Sequence, residues 1–235
     1  MNQIIKAIQE NKRFIEKELS KKLKDVNKLN IACGIDYREG WVNSDLATHK
    51  DIKIDKKVDL RKLPLPFKDK EFDYIYTAHT LEHIRGDLLP LILEFWRILK
   101  PNGLIEIRVP HFSHYSGQAC LSHKNKFSIN GFKQLSNLAW LRGIPGIPEL
   151  KKPPFNMIKA RLNYQRTDNG KNPLVKKNFY YYFSNFISKL ANKKINFCER
   201  VWCYWVGGFQ EMQVILKKIP QDIKLEKNYF NKIIN

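Results

Sequence analysis

The sequence predicts an α/β fold: a doubly wound, mostly parallel sheet, with a C-terminal β-hairpin and an inserted helical and loop segment over the substrate side. Three observations carry this. Short apolar strands alternate with loops and helical patterns up to residue 110. The first strand breaks at Cys33-Gly34 and a second ends on Asp45, the order of parts in a nucleotide-type site. Further polar residues, Asp59 and Thr77-Ala78-His79, fall where later strands end, which is where open α/β sheets bind ligands.

The elements follow in chain order. Residues 2–26 read as an amphipathic helix, with Ile4, Ile8, Ile15, Leu19 and Leu23 on one face and charges between them. Four acidic residues share that helix, so packing against the sheet is favoured over a basic helix lying on a membrane. The first strand carries Leu29 and Ile31, and the second Trp41 and Val42. Only residues 35–40 connect Gly34 to the second strand, too few for a usual helical crossover, although six residues can extend over roughly 20 Å. A loop or single turn is therefore expected where a helix would stand.

Residues 57–60 form a short third strand, and Pro64 and Pro66 impose an extended loop. The turn at Asp69-Lys70 precedes a fourth strand over residues 72–77. A helix over residues 88–99 has Pro90 in its first turn and Leu91, Ile92, Phe95 and Leu99 as its apolar face; Lys100-Pro101-Asn102-Gly103 stops it. Residues 104–109 form a fifth strand, with Ile105, Ile107 and Val109 on one face. Near the C-terminus, residues 201–206 and 210–216, joined through Gly207-Gly208, read as a hairpin.

Composition bounds the function. No run of eighteen apolar residues exists, and the N-terminal stretch lacks the apolar core of a signal peptide, so a cytoplasmic protein is expected. Four cysteines without a CxxC pair suggest neither a disulfide framework nor a zinc site. The net charge is +19, and its distribution is uneven: 21 basic against 17 acidic residues through Pro110, and 21 against 6 from His111 onward. Two explanations stand: lysines on a solvated face of a Lys-, Asn- and Ile-rich chain, or contact between the later half and an anionic glycan, nucleic acid or membrane surface.

The blocks LNIACG, GWVNSDL, VDLRKLPLPF, KEFDYIYTAHTLEHI and EFWRILKPNGLIEIRVP resemble the class I S-adenosylmethionine-dependent methyltransferases, and within them the methyltransferase-11-like group. The resemblance covers residues 28–110, in order and at compatible distances. It implies S-adenosylmethionine as cofactor and a Rossmann-like methyltransferase fold. Ala32, Cys33 and Gly34 would form the loop under the methionine end of that cofactor, and Asp45, flanked by Leu46, would hold the ribose. Asp59 and Leu60 would flank the adenine, and Thr77, Ala78 and His79 would complete the pocket. The sequence departs from the family at Ala32, where a glycine is usual. The resulting organisation is an N-terminal helix at 1–27, a methyltransferase domain at 28–220 and a basic tail at 221–235. Within the domain, residues 28–110 form the cofactor half, 111–195 the substrate-covering segment and 196–220 the closing strands.

Methyl transfer from an activated sulfonium asks the protein mainly to position the acceptor, exclude water and sometimes accept a proton. Histidine is the usual base, and His79 and His111 are the catalytic candidates; His111, His114 and His123 would face the substrate. Each has an alternative reading as a structural hydrogen-bonding residue. No metal site is expected from this cluster. The segment after the fifth strand is basic and aromatic, with Trp140, Arg142, Lys151, Lys152, Phe155, Lys159, Arg161, Tyr164 and Arg166, and is broken by Gly143, Pro145, Gly146, Pro148, Pro153 and Pro154. Tyr180, Tyr181, Tyr182, Phe183, Phe186 and Leu190 then make an aromatic helix suited to core packing, glycan stacking or lipid headgroups.

The favoured reading is methylation of a small-molecule or glycan-type acceptor, with an anionic one in view and peripheral membrane contact as an option. The alternatives are an RNA ribose methyltransferase or a non-catalytic methyltransferase-like scaffold. Base methylation is disfavoured, because Thr-Ala-His-Thr follows strand four and no Pro-Cys is present.

Overall fold

The computed structural model describes residues 3–46, 53–144, 149–164, 179–205 and 207–221. Its seven strands are β1 (Lys28–Ile31), β2 (Val42–Asp45), β3 (Lys56–Lys57), β4 (Phe72–Ala78), β5 (Leu99–Pro110), β6 (Phe155–Asn163) and β7 (Glu211–Lys218). They form one sheet in the order β3-β2-β1-β4-β5-β7-β6. The neighbours from β3 to β5 pair in parallel, and β7 runs antiparallel to both β5 and β6. The chain moves outward from β1 to β3 and then returns to β4 on the other side of β1. That reversal opens a crevice beyond the carboxyl ends of β1 and β4.

Eight helices accompany the sheet: α1 (Gln3–Leu19), α2 (Leu89–Ile98), α3 (Tyr115–Ala119), α4 (Ile129–Lys133), α5 (Leu138–Arg142), α6 (Phe179–Lys193), α7 (Ile195–Phe197) and α8 (Cys203–Trp205), among the described residues. A π-helical turn at Cys198–Trp202 links the last two. The expected first helix ends at Leu19, where Ser20 takes a positive φ of 53°, and a separate 3-10 turn follows at Leu23–Asp25. Helix α1 lies on one face of the sheet, where Ile15, Phe14 and Leu19 pack with Tyr74, Leu104 and Ile215. Helix α2 belongs to the main core on the other side with Phe72, Ile75 and Ile107, and burying a side chain such as Phe95 stabilises the fold by roughly 1.5–3 kcal/mol.

The short crossover between β1 and β2 is organised by a buried asparagine rather than a helix. Asn43 donates through Nδ2 to the carbonyls of Arg38 and Trp41, at 2.9 and 3.1 Å, and its Oδ1 accepts from the Arg38 amide at 2.9 Å. Its own amide donates to Asp55 Oδ2 at 2.8 Å, which ties the approach to β3 to the same point. One side chain thus satisfies the turn's backbone groups, which would otherwise cost free energy on burial.

The C-terminal prediction needs correction. The second predicted strand is β7 at Glu211–Lys218, but the stretch before it is the π-turn followed by α8, and its antiparallel partners are β5 and β6. The sheet therefore closes through two strands far apart in sequence, with α6–α8 inserted between them, and not through a tight hairpin. The run VWCYW has high β propensity, yet it carries Val201, Tyr204 and Trp205 as exposed residues of a helical segment. Arg166, Pro145, Gly146, Pro148, Val206 and the tail after residue 221 lie outside the described residues, as do the side chains of Ile4, Ile8, Tyr180 and Tyr181.

Candidate active site

The loop after β1 bends sharply. Ala32 and Gly34 both have positive φ, at 54° and 51°, which brings the backbone round at the end of the strand. Cys33 donates its amide to the Ser44 carbonyl at 3.0 Å, and Gly34 donates to Asp45 Oδ2 at 2.8 Å. The acid at the end of β2 thereby holds the loop at the end of β1. Cys33 is buried, and burial together with the Asp45 charge pushes its thiol up to about 11, so it is an uncharged packing group at neutral pH. Ile35 and Leu46 stand exposed on either side of this loop.

Val58 donates its amide to the Asp45 carbonyl at 2.9 Å, which carries Asp59 and Leu60 to the edge of the same crevice. Leu60 is buried. Asp59 is engaged by Arg61 in a two-pronged ion pair, Nε to Oδ1 and Nη2 to Oδ2, each 2.9 Å. Those hydrogen bonds hold the Asp59 carboxyl below the usual carboxylate range. At the end of β4, His79 adopts a positive φ of 52° and donates its amide to the Arg108 carbonyl at 2.9 Å. Its ring is held between two carboxylates: Nε2 lies 3.0 Å from Glu211 Oε2 and Nδ1 lies 3.4 Å from Glu82 Oε1.

The remaining histidines separate into different environments. His111 is fully buried, with Nδ1 at 2.7 Å from Ser113 Oγ and Nε2 at 2.9 Å from Glu199 Oε1. Both ring nitrogens are occupied and no ring face is open, so this geometry ties β5 to the π-turn and differs from the acceptor-facing position expected of His111. The His114 ring packs at a tilt against Tyr115, centroids 4.6 Å apart, and partial burial lowers its pKa. His123 donates through Nδ1 to the Gly117 carbonyl at 3.3 Å, and its ring lies 4.8 Å from that of His83.

A cofactor of the expected type fits this edge of the sheet. Among the described residues nothing stands within 4 Å of where a Gly34 Cβ would lie, and the buried hydroxyls of Ser44 and Thr77, near the ends of β2 and β4, have no hydrogen-bond partner. The crevice thus offers an open backbone loop and unpaired polar groups.

Residues 18–107 match the family model described as a methyltransferase domain. This chain carries a class I S-adenosylmethionine-dependent methyltransferase domain. A demethylmenaquinone methyltransferase from Staphylococcus saprophyticus is 32% identical over 82 residues, or 35% of this chain and 35% of that protein. The chain thus aligns with about a third of the length of this curated relative. Among solved structures, a SAM-dependent methyltransferase from Archaeoglobus fulgidus shares the fold with a TM-score of 0.52 at 18% identity, covering 91% of this chain and 94% of that one. A geranyl diphosphate C-methyltransferase from Streptomyces coelicolor, solved with magnesium, geranyl diphosphate and S-adenosylhomocysteine, gives 0.50 at 13% identity, covering 90% and 79%.

The sheet also carries a charged row across β4, β5, β7 and β6. Register places Ala78 beside Arg108, Arg108 beside Gln213, and Gln213 beside Arg161. Arg108 donates through Nε to Glu106 Oε1 at 2.8 Å, and Glu106 also accepts from Tyr74 and Gln213. Burial alone would lower the pKa of Arg108, but Glu106 and Glu211 hold it above the ordinary arginine value. Burial also acts to raise Glu211, yet the His79 hydrogen bond and Arg108 bring its pKa below the usual range. The Arg161 guanidinium has no hydrogen-bonding or ion-pair partner among the described residues; burial, with Arg108 nearby, lowers its pKa, against a smaller opposite pull from the Glu10 and Glu211 charges. The only sequence signal was alternation: IEIR in β5 and EMQV in β7 place polar residues on every second position, so on one face. No helix among the described residues is long and apolar enough to cross a membrane.

Proposed function

We propose that this chain transfers a methyl group from S-adenosylmethionine to a small-molecule or glycan-type acceptor that carries an acidic group. The observation that supports the acidic acceptor is Arg161: a partly buried guanidinium without a hydrogen-bonding or ion-pair partner among the described residues, one strand from Gln213 and two from Arg108, on the row that ends beside His79. Desolvating a guanidinium is costly unless an anion pairs with it, and a carboxylate or phosphate matches its planar fork.

In this reading the cofactor lies along the carboxyl edge of β1–β4. Ala32–Gly34 run under its methionine end and Asp45 accepts from the ribose hydroxyls. Asp59 and Leu60 flank the adenine, with the exposed Arg61 swinging aside to free an Asp59 oxygen. Thr77, Ala78 and His79 close the pocket. The cofactor supplies a methyl group already activated on sulfonium, so the protein's own work is alignment of the acceptor and removal of its proton. His79 is the candidate proton acceptor: Nε2–H donates to Glu211, which orients the ring, and Nδ1, whose contact with Glu82 is the longer one at 3.4 Å, keeps the lone pair. His111 takes a positioning role, and His114 remains the substrate-facing histidine nearest to it in sequence.

A second reading has a specific observation behind it. Tyr182, Phe183, Phe186 and Leu190 of α6, with Tyr204 and Trp205 of α8, are exposed large apolar residues accompanied by Lys189, Lys193 and Arg200. Such a surface suits an apolar acceptor met at a lipid interface, and the demethylmenaquinone enzyme is a relative named for a lipid-soluble quinone.

Calorimetric titration with S-adenosylhomocysteine comes first: one-to-one binding supports the cofactor half, and no binding at millimolar ligand favours the scaffold reading. Labelled-methyl uptake is then compared on acidic glycans, neutral glycans and quinone-loaded vesicles. The acidic reading expects uptake on acidic acceptors, with Arg161→Gln raising KM about 10-fold or more while leaving S-adenosylhomocysteine affinity unchanged. Equal uptake on neutral and acidic acceptors, or uptake confined to vesicles, overturns it.

A further inference from the structure

A second site lies beside the first, in the loop that follows β4. Leu81–His83 form a 3-10 turn, and residues 117–125 fold back over it. Lys124 and Asn125 donate their amides to the Glu82 carbonyl, at 2.6 and 3.3 Å, and the Asn125 side chain donates to the carbonyls of Leu81 and Ile84. This clamp brings one ligand atom each from Glu82, His83 and His123 within 4.8 Å of one another. Glu82 is 1% exposed, and its Oε2 has no hydrogen-bond partner among the described residues. A buried carboxylate oxygen left without a donor carries a free-energy cost that a bound cation would relieve.

The rings are prepared for coordination. His123 Nδ1 donates to the Gly117 carbonyl, so the neutral ring carries its lone pair on Nε2. His83 Nδ1 is bonded to Ser122 Oγ at 3.0 Å, which fixes its orientation as an outer hydrogen bond fixes a metal-bound histidine. Two imidazoles and one carboxylate are the donor set of tetrahedral zinc with an open position, and ligand atoms about 2.0–2.2 Å from a common ion lie roughly 3.3 Å apart. The exposed His83 side chain can close the remaining gap by a small rotamer change. No metal site is expected here from histidine spacing, yet Glu82 stands between His79 and His83, which are four residues apart.

We propose that Glu82, His83 and His123 form a binding site for a borderline divalent cation of the zinc type. The ion would pin residues 117–125 to the turn after β4. Because the other Glu82 oxygen faces His79 Nδ1 at 3.4 Å, it would also fix the carboxylate that flanks that ring. The fourth position falls to water or to the exposed Cys120, whose Sγ is 3.1 Å from Ser122 Oγ.

The test uses the full chain, free of any purification tag and stripped by chelator, titrated with zinc chloride and separately with cobalt chloride. The expected result is one zinc per chain, a higher melting temperature with zinc, and a cobalt spectrum of low coordination number, with a sulfur charge-transfer band if Cys120 takes the fourth position. His83→Ala and His123→Ala each weaken zinc binding at least about 10-fold. Both side chains lie outside the core, and unchanged circular dichroism of these variants shows that the loss is not unfolding. Zinc binding well below one per chain, or binding that survives the loss of both histidines, overturns the site.

Discussion

Asp45 Oδ2 accepts the Gly34 amide at 2.8 Å, so the residue assigned to the ribose also fixes the loop that would carry the methionine end of the cofactor. The two roles are coupled through one carboxylate. Asp45→Ala is expected to weaken S-adenosylhomocysteine binding at least about 100-fold, since both the ribose acceptor and the loop anchor carry charge-assisted hydrogen bonds. Asp45→Asn keeps one neutral acceptor oxygen and falls in between. Titration calorimetry on the three proteins checks this, and wild-type affinity in the alanine variant sinks the assignment.

Ala32 occupies the left-handed region that glycine enters freely, with φ at 54°. An L-residue there costs roughly 1–2 kcal/mol, which matches or slightly exceeds the roughly 0.5–1 kcal/mol that glycine's extra freedom in the unfolded chain would cost. Ala32→Gly should therefore leave the melting temperature within a few degrees and keep cofactor affinity. Ala32→Val, β-branched at the same φ, should lower both. Thermal melts with and without S-adenosylhomocysteine separate the two outcomes, and a strongly destabilised glycine variant counts against the strained-loop reading.

The order in which these features became legible follows from how locally each is determined. Strands β1, β2, β4 and β5 are short apolar runs bounded by turns, and so read directly from residues 28–110. Strand β6 hid because its charged residues, Lys159 and Arg161, face a charged row, which makes FNMIKARLN look like a solvated basic segment after Pro153-Pro154. Glu199 gave no sign of itself. Its value depends on a π-turn that carries it to His111, 88 residues away in the chain. Likewise the neighbourhood of Arg108 and Arg161 exists only through the antiparallel register of β7, which no local pattern encodes.

Lys218 is buried at the end of β7, where Nζ donates to the carbonyls of Trp96 and Leu99, at 2.7 and 2.6 Å, capping the last turn of α2. Burial pushes its pKa down to about 8. Between pH 8 and the ordinary lysine value the unfolded chain then holds a proton that the folded chain has released. The contribution of this group to stability therefore rises with pH across that window and is flat below it. Urea melts from pH 7 to 10 should show that rise in the wild type relative to Lys218→Met, in which the window disappears. Identical pH slopes in the two proteins would refute the lowered value.

Glu199 joins three parts of the fold: His111 at the end of β5, the Ile129 and Asn130 amides at the start of α4, and its own π-turn. Burial pushes its pKa up, but the hydrogen bond from His111, the two amides and the His111 charge outweigh that and leave it below the usual carboxylate range. A carboxyl lowered in this way stabilises the fold fully above the unfolded glutamate value, and the contribution is lost as pH falls through the folded one. Glu199→Ala leaves His111 and two amides buried without an acceptor, a loss of about 3–5 kcal/mol at neutral pH. The variant should also lose part of the wild type's acid sensitivity below about pH 4.5, because the group responsible for it is gone. Denaturant melts at pH 7 and pH 4 measure both effects together. A variant as stable as wild type at pH 7 would mean that the His111–Glu199 pair does not hold α4 and the π-turn to the end of β5.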